Sequence, residues 1–560
     1  MLSQQQPQPR ARFACLPCRT SKRRCDKSLP HCDLCIRKEI DCVYPARRRT
    51  ASAAPAGLAP PQLIPQRQDC ELSRALLSPL SPAPSCSEAA AMYFIEPRAF
   101  TQDPLELAGN DLPVPHNVLS LIGDNASIHN MASRFFASIH VWMPIISKRG
   151  FTARLFTSLD PRRAELSLLA LCMQLVSCTG LSLEQSSANY NPTALYQAAK
   201  KFYRELETAG MLSVQMLQAG ILIALYETGH GIYPTAYLTV GACARYGVAL
   251  GLNTSILERI DGDSAPKSWN ELEERRRVWW AILVLDRFMN LSNPSRPLAT
   301  VDPPFNAFLP VDDSAWDNYT SKPGDSVDIS TGFMLKMGRF ARLAQATYLL
   351  GQALSAVTLP ADGVAGRGSS DQNEQLRRTL LSLVHIVDAE ADARRLEFCA
   401  QSALCFSAIL LLQGHHWDQC SSDFNHHPFK KTTDAPWEAT REALERMAQA
   451  STALVAEYSV NPTLLDLSSP FMIHLTYQVA SISIQLSRDP VDSRIMSKID
   501  AFKAVLHVIA QRWKIAGKFN PKPPSAYSSP ITNASFFFLD VYLTILKIQQ
   551  SALSTRDLGA

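Results

Sequence analysis

The chain has 560 residues, 46% hydrophobic and 19% charged, a balance that suits two or three folded domains with a sizeable core. Met1 to Arg10 is polar and Gln/Pro-rich, and no charge-free apolar run reaches about eighteen residues, so neither a secretory signal nor a membrane span is expected. The net charge of +4 is uneven: residues 1–50 hold twelve Lys and Arg against four acids, a net +8, which leaves −4 on the rest and points to a polyanionic partner at the N-terminal end alone.

Residues 1–14 read as disordered. Residues 15–45 contain Cys15, Cys18, Cys25, Cys32, Cys35 and Cys42, spaced C-x2-C-x6-C twice over. Six thiolates cannot form two separate tetrahedral sites, which need eight ligand positions. The count closes when two of the thiolates bridge. Zinc suits such a set, being tetrahedral and at home with cysteine, and coordination supplies the folding energy that so short and apolar-poor a segment lacks. The other eight cysteines are scattered, most of them in apolar surroundings, and disulfides are not expected.

The two halves of the array differ in charge. Arg19-Thr20-Ser21-Lys22-Arg23-Arg24 carries four cations and no acid, whereas Ile36-Arg37-Lys38-Glu39-Ile40-Asp41 sums to zero. Each is expected to form a short helix starting at its cysteines. Only the first can face a nucleic acid without repulsion. The array resembles the fungal Zn2Cys6 binuclear cluster DNA-binding domain. That resemblance implies two Zn2+ ions, one held by Cys15, Cys18, Cys25 and Cys32 and the other by Cys15, Cys32, Cys35 and Cys42, with Cys15 and Cys32 bridging. It also implies double-stranded DNA as partner, read at CGG-type half-sites by Lys22 in the major groove. Arg19, Arg23, Arg24 and Lys27 then neutralise phosphates for the most part. Ser21 stands where the family often has Lys or Arg.

Residues 46–114 form a linker rich in Ala, Pro and Ser, with no sustained heptad repeat. Its basic triplet, Arg47, Arg48 and Arg49, serves as a nuclear import signal, a DNA-backbone contact or a solvated charge run. Acids among apolar residues at 88–112 make that stretch the candidate activation segment.

From residue 115 to residue 560 the pattern is all-α. Ile128, Met131, Phe135, Phe136, Ile139 and Trp142 recur at helical spacing. Further helices are expected near 163–178, 193–209, 213–228, 233–251, 271–292, 332–357, 373–413, 436–459, 468–487, 492–515 and 533–551. Phe536 to Ile548, the most apolar run, reads as a buried helix. Gly363 to Asp371 reads as a loop and not as a phosphate cradle. His415, His416 and Cys420, with His426 and His427, are expected in a solvated loop. Two stretches, Ala236 to Leu252 and Glu274 to Pro297, resemble the fungal-specific transcription factor domain over roughly 115–400. Asn293-Pro294-Ser295 departs from the glycine that the family places before Arg-Pro. Arg277, Asp286 and Arg287 are expected to form a structural ion-pair network more readily than an effector pocket.

No HExxH, G-x-S-x-G or P-loop occurs, and an enzyme is not expected. The leading reading is a nuclear, sequence-specific factor regulating RNA polymerase II transcription. It is more an activator than a repressor, with a metabolic or secondary-metabolite gene set as target. Its partners are DNA and the transcription machinery or co-regulators, with homodimerisation left open. The alternative is a zinc-dependent interaction or metal-responsive protein that does not read DNA sequence.

Overall fold

Charged side chains sit where the hydropathy pattern places the core. Helix α11 (Trp269–Asn290) is buried along most of its length, although its sequence includes Glu273, Arg276, Arg277, Asp286 and Arg287. A computed structural model describes residues 14–21, 23–38, 40–42, 112–157, 163–177, 192–258, 268–331, 337–358, 366–394, 400–421, 435–486 and 493–519. The chain divides into two units, Met1–Ser81 and Pro82–Ala560. Among its described residues the first holds two short helices, α1 (Leu16–Thr20) and α2 (Asp33–Arg37).

The second unit is helical, and among the described residues its β structure is one isolated bridge between Phe308 and Asp328. In chain order come α3 (His116–Ile122), α4 (Asn125–Ala137), α5 (Lys148–Thr157), α6 (Ala164–Ser177), α7 (Pro192–Thr208), α8 (Val214–His230), α9 (Thr235–Ala249), α10 (Leu252–Ser255) and α11. After these come α12 (Asp313–Asp317), α13 (Arg339–Thr358), α14 (Gly366–Arg394), α15 (Ala400–Ser421), α16 (Ala435–Val460), α17 (Phe471–Leu486) and α18 (Ser493–Ala510). Helix α8 packs on α6 and α9, α13 packs on α15, and α11 touches α8, α9 and α13, so α11 lies where the two packing groups meet. Near the end of the described chain, Arg512 donates to Asp466 and to the Val176 carbonyl, and so ties the turn after α18 back to α6.

Caps and turns account for several boundaries. Ser268 and Glu271 form a capping box at the start of α11, which satisfies two otherwise orphaned N–H groups. The left-handed Gly231 ends α8, a conformation that costs glycine little.

The structure corrects some sequence expectations. The run from Ile128 to Trp142 is not one helix. Helix α4 stops at Ala137, and a 3-10 turn spans Ile139–Val141. The single helix expected over 373–413 is two, α14 and α15. Helix α14 already starts at Gly366, inside the expected loop, and α15 runs through His415, His416 and Cys420 to Ser421. No proline occurs between Pro360 and Pro428, and glycine raises the cost of a helix without forbidding it. His426 and His427, the helix expected at 533–551, the linker, and the acidic residues at 88–111 lie outside the described residues.

Helix α11 carries its charges in fixed pairs. Arg277 donates to Glu273 at 2.9 Å, to Asp313 at 2.7 Å and to the Val311 carbonyl at 2.7 Å, and stacks 4.2 Å above the Trp316 ring. Asp286 accepts from the Thr300 N–H at 2.9 Å and the Ala299 N–H at 3.1 Å, while Arg287 donates to Asp302 at 2.7 Å. The expectation of a bracing network therefore holds for these residues. Beside the Asn293–Arg296 turn, the Arg296 guanidinium lies 5.7 Å from the Tyr233 ring centre and 5.5 Å from that of Tyr237, contacts that help to brace a turn lacking the glycine.

Two measurements check this packing. Replacing Arg277 with Ala leaves buried Glu273 with Arg276 as its one remaining arginine partner and takes the Arg277 pair from Asp313, and should lower unfolding stability by roughly 1–3 kcal/mol in urea titrations. His474 on α17 is partly buried against Phe288, and its Nδ1 is shut off without a partner. Burial pushes its pKa down to about 4. The unfolded chain therefore takes up a proton near pH 6.5 that the folded chain refuses. The contribution is intact above pH 6.5 and is lost on acidification towards pH 4, on the order of 3 kcal/mol. His474→Phe should flatten the melting temperature against pH across that window.

Candidate metal centre and nucleic-acid interface

Each C-x2-C pair builds the same local structure. Cys15 and Cys32 occupy the N-cap positions of α1 and α2 in extended backbone, and Cys18 and Cys35 fall one turn later on the same face. The Arg19 N–H donates to the Cys15 carbonyl, and the Ile36 N–H donates to that of Cys32, both at 3.0 Å. Arg23 then turns back to the Cys18 carbonyl at 2.9 Å, as Ile40 does to that of Cys35 at 3.1 Å. The doubled sequence is thus a doubled backbone motif. Between the halves, the Asp26 carboxylate accepts from Ser28 and from the Asp33 N–H, and so ties the connecting loop to the start of α2. The Ser28 hydroxyl helps to hold Asp26 below its usual pKa.

Five of the six sulfurs are buried, and Cys25 is half-buried. Cys15 Sγ lies 3.6 Å from Cys32 Sγ, 3.7 Å from Cys35 Sγ and 3.8 Å from Cys25 Sγ. Cys18 Sγ lies 3.7 Å from Cys32 Sγ and 3.9 Å from Cys35 Sγ. Four thiolates held tetrahedrally at the ordinary zinc–sulfur distance of ~2.3 Å stand about 3.8 Å apart. The separations therefore fit zinc, and they are too long for disulfides. Cys15, Cys18, Cys32 and Cys35 lie mutually within 4.8 Å. Cys42 Sγ joins through the Cys32 N–H, which donates to it at 3.2 Å. Little else fills this core: Leu34 is partly buried against the sulfurs, while Leu16, Leu29, Ile36 and Ile40 are exposed.

Of the candidate DNA contacts, Arg19 projects from α1, and Arg23 and Arg24 follow it, all three exposed. The helix expected to run through Arg24 stops at Thr20, whose hydroxyl donates back to the Leu16 and Pro17 carbonyls. Arg23 and Arg24 are therefore not helical. Lys27 is half-buried and adopts a left-handed φ of 65°, a sparsely populated conformation for a residue with a side chain. Lys22, Arg47, Arg48 and Arg49 lie outside the described residues. Sequence reasoning did not foresee the part of Asp26, because a single acid among cations reads as charge balance until its hydrogen bonds are seen.

A sulfur cluster carrying exposed arginines, in a chain that also holds a separate helical unit, fits a zinc-dependent nucleic-acid-binding regulator. Residues 13–51 match the fungal Zn(2)-Cys(6) binuclear cluster domain, and residues 132–384 match the fungal specific transcription factor domain. The chain belongs to the fungal Zn2Cys6 transcription factors: it is a zinc- and DNA-binding regulator of transcription and not an enzyme. It is 41% identical over 144 residues to transcription factor BOA15 of Botryotinia fuckeliana, a match covering 26% of this chain and 76% of that protein. It is 27% identical over 191 residues to transcription factor tazR of Aspergillus terreus, covering 33% of this chain and 29% of that protein. It is 23% identical over 320 residues to the citrinin biosynthesis transcriptional activator mrl3 of Monascus ruber, covering 50% and 60%. The last two matches span less than two thirds of those relatives.

Because the sulfurs are the core of the first unit, zinc removal should unfold it and leave the body folded. In the full chain, chelator treatment should erase the amide protection of residues 15–42 in hydrogen exchange, with the protection of α6 and α8 unchanged.

Proposed function

We propose that the chain binds two zinc ions and uses them to present its first half-motif to CGG-type half-sites, activating genes of a biosynthetic set from the nucleus. The sulfur separations of 3.6–3.9 Å carry this reading, since they hold five of the cysteines at metal-ligand spacing without a disulfide, with Cys42 Sγ brought in through the Cys32 N–H. Cys15, Cys18, Cys25 and Cys32 would hold one ion, and Cys15, Cys32, Cys35 and Cys42 the other. Zinc supplies the cross-links that the small apolar content cannot. The residues of the chain itself do the recognition. Lys22 donates to guanine O6 and N7, while Arg19, Arg23, Arg24 and Lys27 neutralise phosphates and set the register. Arg47, Arg48 and Arg49 serve nuclear import or the DNA backbone. The helical body supplies contacts to the transcription machinery or co-regulators, and a homodimer would pair two half-sites. The biosynthetic target class is supported by relatives such as mrl3, whose name assigns it to citrinin biosynthesis.

Metal analysis of the purified full chain should give two zinc ions per chain; a ratio of one would refute the bridged arrangement. Lys22→Ala should weaken binding to a CGG duplex by roughly 1–3 kcal/mol and relax discrimination at the contacted base. Arg23→Ala should weaken binding to all duplexes evenly and reduce the salt slope by about one. Equal affinity of the unaltered chain for CGG and scrambled duplexes would overturn the assignment.

A further inference from the structure

Helix α9 buries one face as expected. Ala236, Val240, Cys243, Ala244 and Gly247 pack inward against α8 and α11. Its outward face is unusual for a surface helix. Of its 15 residues only Arg245 is charged. Leu238 is 63% exposed and Val248 47%, and Ala242 between them is exposed as well. A Cβ at Gly241 would meet nothing within 4 Å. Just before the helix, Tyr233 is 61% exposed. Leu238 and Val248 flank a shallow trough at Gly241 and Ala242, interrupted by the exposed Arg245, into which another helix can settle.

The course of the chain points to the occupant. Ile515 donates its N–H to the Gly229 carbonyl at 3.2 Å, and its side chain lies against Gly231. The described chain ends at Phe519, so it leaves the body beside the segment that leads into α9. Residues 520–560 follow, and they contain Phe536 to Ile548. In that run the polar residues Asp540, Thr544 and Lys547 recur at i, i+4 and i+7, one narrow stripe on an otherwise apolar helix. Such a helix must be buried against something. Residues 520–535 can span roughly 50 Å when extended, against about 22 Å for the length of α9. The apolar remainder of the run can meet α9 with this stripe left in water, and the exposed Arg245 can lift its guanidinium to the edge of the contact.

We infer that residues 536–548 form a helix that docks in cis on the outward face of α9, across Leu238, Gly241, Ala242 and Val248. Docking would bury the apolar surface that Leu238 and Val248 otherwise show to water. This inference stands apart from the reading of the DNA half-site.

Photo-crosslinking of the purified full chain tests it. With benzoylphenylalanine in place of Leu238, the expected product is an intrachain adduct to a peptide within 536–548. An adduct between two chains would assign the face to a second copy, and an adduct elsewhere in the same chain, or none to that peptide, would equally overturn the proposal. A second variant reads the same contact without a probe. Leu238→Glu puts a charge in the trough at an exposed position, so the body should keep its far-UV spectrum and melting point. Chymotryptic cleavage at Phe536–Phe538 and Tyr542 should then accelerate roughly tenfold or more. Cleavage at the unaltered rate would refute docking.

Discussion

Burying a charge is the constraint on which the helical body depends. Helix α11 passes between the two groups of packed helices with Glu273, Arg277, Asp286 and Arg287 all withdrawn from water. Each of these ions carries a desolvation cost that only a fixed partner offsets. The partners are drawn from loops distant in sequence: Val311 and Asp313 for the Arg277 end, Thr300 and Asp302 for the Arg287 end. Helix α11 thus does more than fill the core. Its charges hold the irregular segment from Ala299 to Asp313 against it, and through Asp313, which also accepts from the Phe340 N–H, they reach the start of α13.

The cysteine unit answers a similar problem by other means. It lacks the apolar area to fold as the body does, and its interior is sulfur. The two C-x2-C turns repeat the same backbone hydrogen bonds and bring Cys15 and Cys32, the two N-cap residues, to 3.6 Å of one another. With the sulfurs inside, the cations have nowhere to lie but the surface, and Arg19, Arg23 and Arg24 are exposed together. The groups that hold the fold are therefore unlike the groups on its surface: sulfur inside, guanidinium outside.

Much of the site was legible in the sequence because ligand chemistry is written in residue type and spacing. Six cysteines in a doubled pattern admit few other readings, and the helices were legible through apolar periodicity. Of the boundaries that failed, Gly366 and Ser421 were those where glycine or composition stood in for a stop signal, whereas at Ala137 the apolar spacing ran on past the end of the helix. Glycine weakens a helix by about 1 kcal/mol, which neighbouring packing can outweigh. The end of α1 at Thr20 was likewise hidden, since it depends on a hydroxyl turning back to two carbonyls and on Arg23 returning to Cys18.

The sequence alone determined the doubled cysteine pattern, the uneven charge and the helical class of the body, because each follows from residue identity and local period. Only the tertiary structure decided which charges are buried with which partners, that the sulfurs converge to a tetrahedral spacing, and that α9 shows an apolar face to the outside. Most of those relations join residues more than ten positions apart, and no local pattern encodes them.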